Sequence, residues 1–124
     1  TVLQSSDFAQ MAGQLRTLLR DLTGNQGLRP EQIVVLSPYR RDNAASAWAA
    51  GLDACATTDA LAAPLPGLVR VGTVQGFKGL ESDVVVLVGI DLRCMRHPAN
   101  LYVGASRARA ALYVLALADA GLAA

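Results

Sequence analysis

Asp83-Val-Val-Val-Leu-Val-Gly-Ile90 decides the fold class. Three successive valines resist helix, because a β-branched side chain loses rotamer freedom against the preceding turn, and they suit a strand. The run is apolar without alternation, so both faces must be covered, as in a central strand of a parallel sheet. Gln32-Ile-Val-Val-Leu-Ser37 repeats the pattern and Pro38 ends it. Leu68-Val-Arg-Val-Gly-Thr73 alternates and reads as another strand, and Ala111-Leu-Tyr-Val-Leu-Ala-Leu117 reads as the last.

Helical signals separate these runs. Ser5-Ser6-Asp7 offers capping side chains ahead of Phe8, Met11, Ala12, Leu15, Leu18, Leu19 and Leu22, which recur at helical spacing, with Gly24 as the stop. The alanine-rich Arg41 to Leu52, carrying Trp48, predicts a second helix, and Pro98 to Ala110 a third with proline in its first turn. Residues 53–68, with Pro64, Pro66 and Gly67, read as a connecting loop. Strands alternating with helices predict an α/β domain: a mostly parallel sheet flanked by helices, with right-handed crossovers. A chain of 124 residues is expected to form a single domain spanning residues 1–124.

Composition narrows the class. The 52% apolar share is that of a globular chain. No apolar run approaches the roughly 18 residues of a membrane span, so no membrane partner is expected. The net charge is +1, and residues 70–124 hold six Lys/Arg against four acids, too slight an excess to argue nucleic-acid binding on electrostatics alone. Cys55 and Cys94 form no C-x-x-C pair and His97 is the sole histidine, so no metal site is expected. Two reduced thiols fit a cytoplasmic protein. The chain opens on Thr1, and a piece excised from a longer protein is the expectation.

Two blocks carry chemistry. In Thr73-Val-Gln-Gly-Phe-Lys78-Gly79-Leu-Glu81, the glycines admit close backbone approach, Lys78 is a compact charge suited to phosphate, and Glu81 could accept from ribose hydroxyls. On residue types alone, a solvated turn is an equal reading. In Ser106-Arg107-Ala-Arg109, a guanidinium at a γ-phosphate would neutralise charge that builds up in phosphoryl transfer. The alternative is a pair of surface arginines or charges at a helix C-terminus. Two residues apart on a helix, the two arginines point in different directions, so at most one can be that finger. No Gly-x-x-x-x-Gly-Lys-Ser/Thr occurs, so the chain holds half of a phosphate site.

Thr-x-Gln-x-x-Lys-Gly-Leu-Glu followed by Leu-Tyr-Val-x-x-Ser-Arg-Ala-Arg resembles motifs V and VI of superfamily 1 helicases, closest to the UvrD/Rep-like group, whose second RecA-like domain (2A) carries both. A chance match to five fixed residues is on the order of 10⁻⁶ per window. Ile33-Val-Val-Leu-Ser-Pro-Tyr-Arg40 resembles motif IVa. The resemblance spans roughly residues 32–117 and implies a RecA-like C-terminal lobe of an ATP-dependent DNA helicase or translocase. By that resemblance, Arg107 is the arginine that reaches the γ-phosphate across the domain interface. Lys78 and Gly79 lie at the phosphate side and Glu81 near the ribose. Thr73, Gln75, Tyr39 and Arg40 lie toward single-stranded nucleic acid, taken as DNA. ATP with Mg²⁺ is the implied cofactor, the Mg²⁺ ligands belonging to an N-terminal RecA-like domain of the same parent chain. Arg109 is not required by the family pattern.

The sequence departs from the family in several places, beginning with the phosphate-loop domain, its acidic Mg²⁺ motif and the arginine motif ahead of domain 2A, none of which it contains. Thr-x-His is Thr-x-Gln here, and the large 2B insertion ahead of motif V is replaced by the short 53–68 connection. A translocase, or an ATPase joined to another enzyme module, is as compatible as a duplex unwinder. Two rivals remain: a non-catalytic module that binds single strands through the same face, and a self-contained flavodoxin-like nucleotide domain.

Overall fold

A computed structural model describes residues 1–38, 44–91 and 104–120. Six strands form one sheet: β1 (Val2–Ser5), β2 (Ile33–Ser37), β3 (Thr57–Thr58), β4 (Val69–Thr73), β5 (Ser82–Ile90) and β6 (Ala108–Leu117). Their order is β1-β6-β5-β2-β4-β3 and every pair is parallel. The α/β class and the parallel sheet expected from the apolar runs are therefore observed. At the centre, β2 and β5 are buried along almost their whole length.

Alternation across the sheet divides the core in two. Ile33, Val35, Val69, Val71, Val84, Val86, Val88 and Leu115 pack on one side with Met11, Leu15, Leu19 and Trp48. That layer comes from helix α1 (Phe8–Arg20) and a 3₁₀ segment, Ala44–Ala54. Val34, Leu36, Val85, Leu87 and Val114 pack on the other side under Val74 and Phe77. Each fully buried aliphatic side chain stabilises the fold by roughly 1.5–3 kcal/mol.

Asp7 caps α1, its carboxylate accepting from the Gln10 backbone N–H at 2.7 Å, while the Gln10 side chain accepts from the Ser6 N–H at 2.6 Å. All the apolar positions assigned to the core stripe are buried except Phe8, which is half-buried. Gly24 does not stop the helix. The backbone continues as a π-helical turn over Asp21–Asn25, and Gly27, at φ +69°, ends it.

Other boundaries differ from expectation. Of the segment expected to be helical over Arg41 to Leu52, residues 41–43 lie outside the described residues, and Ala44–Ala54 is a 3₁₀ helix with Gly51 packed directly on the Ala12 carbonyl. Residues 53–68 contain the two-residue β3. Of the helix expected over 98–110, the described part covers only its end: residues 104 and 105 are helical, 106 and 107 turn, and β6 starts at Ala108. Arg109 thus sits on a strand, because Ser82 pairs with Ala108 and a bulge opposite Asp83 draws the chain into the sheet. Val2–Ser5, unassigned from sequence, is an edge strand on β6. No helix among the described residues is long and apolar enough to cross a membrane.

Candidate nucleotide and nucleic-acid edges

Residues 74–81 join β4 to β5, two parallel strands on either side of β2. A parallel connection must return from the C-terminal to the N-terminal edge of the sheet, a path that usually takes a dozen residues or more. Here it is compressed into eight, laid across the sheet face. Phe77, fully buried, anchors its middle, and Val74 fills the same face.

At the C-terminal edge, Thr73 ends β4 opposite Ser37, the last residue of β2. The Thr73 hydroxyl accepts from the Gly76 N–H at 2.9 Å and its carbonyl accepts from the Phe77 N–H at 3.1 Å. Val74 N–H donates to the Ser37 carbonyl at 3.0 Å. The first turn of the crossover is thus fixed to the end of β2, with Gln75 exposed upon it. Tyr39 and Arg40 lie outside the described residues; Pro38, just before them, leaves the sheet beside this turn.

The second turn carries the lysine. Leu80 N–H donates to the Phe77 carbonyl at 3.0 Å, and Gly79 has φ +84°. That is a type II turn, which needs positive φ at its third position and therefore favours glycine there. Lys78 occupies the second position and is exposed. Glu81, also exposed, reaches the N-terminal edge immediately before β5.

Arg107 arrives at the same edge. Ser82 N–H donates to the Arg107 carbonyl at 3.1 Å, while the Ser82 hydroxyl donates to the Gln32 carbonyl at 3.0 Å. One buried serine therefore ties together the starts of β2, β5 and β6 and places Arg107 beside Glu81. Arg107 is half-buried, and its Nε is buried with no hydrogen-bond partner among the described residues. Arg109 is different: its guanidinium pairs with Asp83 at 2.9 Å, and Asp83 also accepts from the Gln32 side chain at 3.2 Å. Of the two arginines, Arg107 has no ion pair among the described residues, and the expectation that both lie on a helix does not hold. Among the described residues Lys78 and Glu81 have no ion-pair partner either.

Sequence reasoning missed Arg70. It is 3% exposed on β4, and burial, with Arg109 nearby adding to it, lowers its pKa from the ordinary guanidinium value. Its charge in an otherwise apolar run was the available signal. Among the described residues no three of His, Cys, Asp and Glu lie close enough together to hold a metal ion.

The fold and this edge define a class: a RecA-like α/β lobe in which one crossover touches both ends of the sheet and meets the arginine turn before the last strand. Residues 68–115 match the family model of the UvrD-like helicase C-terminal domain, a segment that runs from the crossover's entry strand through the arginine turn into β6. Over that segment the chain is similar to the UvrD/Rep-like C-terminal domain indicated by motifs V and VI. No curated protein sequence matches the chain.

Proposed function

We propose that this chain is the ATP-clamping C-terminal lobe of a superfamily 1 nucleic-acid-dependent ATPase, a UvrD-like DNA helicase or translocase. The observation that carries the reading is the Ser82–Arg107 hydrogen bond, which sets Arg107 beside Glu81 at the N-terminal edge of the sheet. A Rossmann-type site would lie at the C-terminal ends of the strands. An N-terminal edge bearing an exposed carboxylate, an exposed lysine and an arginine that has no ion pair among the described residues suits the opposite wall of a cleft between two lobes.

The donor set fits a nucleoside triphosphate. Glu81 would accept from ribose hydroxyls, and Lys78 with the Gly79 turn would face the phosphates. Arg107 would stabilise charge on the γ-phosphate; such an arginine is worth about 10³–10⁵ in rate. The triphosphate supplies the bond that is cleaved. The phosphate loop and Mg²⁺ ligands belong to an N-terminal RecA-like partner lobe. At the other end of the crossover, Thr73 and Gln75, with Tyr39 and Arg40 following β2, would face a single strand through its backbone, giving little sequence preference. Nucleotide at one edge and DNA at the other would then share one short backbone segment.

Titration calorimetry with a non-hydrolysable ATP analogue tests the half-site. The 124-residue chain alone is expected to show no saturable micromolar binding. The full-length protein, containing the partner lobe, is expected to bind. Micromolar binding by the chain alone would favour a self-contained nucleotide domain instead.

A further inference from the structure

We propose that Arg70 is the positioning residue of the nucleotide edge, holding the backbone of Glu81 in place from inside the fold. One terminal nitrogen of its guanidinium donates to the Leu61 carbonyl at 3.0 Å, and the other donates to the Glu81 carbonyl in a longer bond of 3.4 Å. The guanidinium carbon lies 5.2 Å from the centroid of the Phe77 ring, within cation–π range. Its Nε is buried, with no hydrogen-bond partner among the described residues. As a purely stabilising device this is poor, since a buried charge without a carboxylate loses hydration that an apolar side chain of similar volume would not.

An apolar side chain could not hold two carbonyls from separate segments, which the planar fork of a guanidinium does. Leu61 belongs to the connection ahead of β4. Its side chain fills the notch above Gly72 and Gly76, where a Cβ on either glycine would come within 2.6 and 3.2 Å of a Leu61 methyl. Glu81 is the exit of the crossover, and the next residue, Ser82, bonds to Arg107. Arg70 therefore links the connection, the Phe77 anchor and the exit of the crossover, and it acts on nucleotide through Glu81 without touching it.

This inference rests on the reading of Glu81 as a nucleotide contact, and a double-mutant cycle in the full-length protein separates the two. The KM for ATP and kcat are measured at saturating single-stranded DNA for Glu81→Ala, Arg70→Met and the double variant. Glu81→Ala is expected to raise KM by about tenfold, the scale of one lost hydrogen bond to a charged group. Arg70→Met is expected to raise KM comparably with a smaller change in kcat, and the double variant to be no worse than the larger single effect. Independent, multiplying effects, or an unchanged KM in Arg70→Met, would overturn the positioning role while leaving the site reading intact. An unchanged KM in Glu81→Ala would overturn both. If Arg70→Met does not fold, Arg70→Lys replaces it in the cycle. Lysine keeps the charge but cannot span both carbonyls, so KM should again rise without adding to Glu81→Ala, and additivity there overturns the inference equally.

Discussion

Gly79 shows how a single backbone angle sets the site. Among the described residues nothing lies within 4 Å of a Cβ at this position, but its φ of +84° belongs to a region that L side chains rarely adopt. Gly79→Ala should therefore destabilise the chain by about 1–2 kcal/mol, a purely conformational cost read as a lower thermal midpoint. Charge acts more weakly at the surface. The Asp53 carboxyl is held below the ordinary carboxylate range, first by its hydrogen bond from Arg16 and then by the charge of that guanidinium. A depressed folded-state pKa stabilises fully above the unfolded value, near pH 4, and the contribution is lost as pH falls through the folded value. Asp53→Asn should accordingly flatten the acid limb of stability below about pH 4 in urea titrations and leave its shape near pH 7 unchanged. The pair is exposed, so the change should be small. At this scale the sequence singled out Lys78, Gly79, Glu81 and Arg107 as candidate site residues. It did not reveal Arg70, because alternation along Leu68–Thr73 says nothing about the loop that covers the other face.

The elements were legible where burial was two-sided. β2 and β5 read directly from continuous runs of Ile, Val and Leu that need cover on both faces, and α1 from a single apolar stripe at helical spacing. β1 was not legible: four residues at a sheet edge gain their structure from pairing with β6, more than a hundred positions away. The start of β6 was equally hidden, because Ser82 and the bulge opposite Asp83, rather than local propensity, take Arg-Ala-Arg out of a helix. The alanine-rich segment read as a helix, its described part is a 3₁₀ helix, and its packing on α1 is close. A Cβ on Gly51 would lie 2.2 Å from the Ala12 carbonyl oxygen, so backbone would have to move. Gly51→Ala should cost about 1–3 kcal/mol, seen as a lower urea midpoint with an unchanged slope.

On the scale of the whole molecule, the eight-residue crossover is the organising feature. A longer helical connection would have separated the end of β4 from the start of β5 by a rigid element of its own. The short path instead places Thr73 and Glu81 at opposite edges of one sheet, roughly the length of a five-residue strand apart, about 16 Å. That spacing was invisible in the sequence, where the two residues are neighbours in one motif, although the motif itself was plain. The central claim is that Arg107 completes a catalytic cleft whose remaining wall belongs to another lobe. ATP turnover by the full-length protein in the presence of single-stranded DNA tests it most directly. Arg107→Ala is expected to lower kcat by about 10³-fold or more, with single-strand affinity nearly unchanged. Arg109→Ala, which loses only the half-exposed pair with Asp83, should keep its turnover. Turnover by Arg107→Ala equal to that of the unaltered protein would contradict the account.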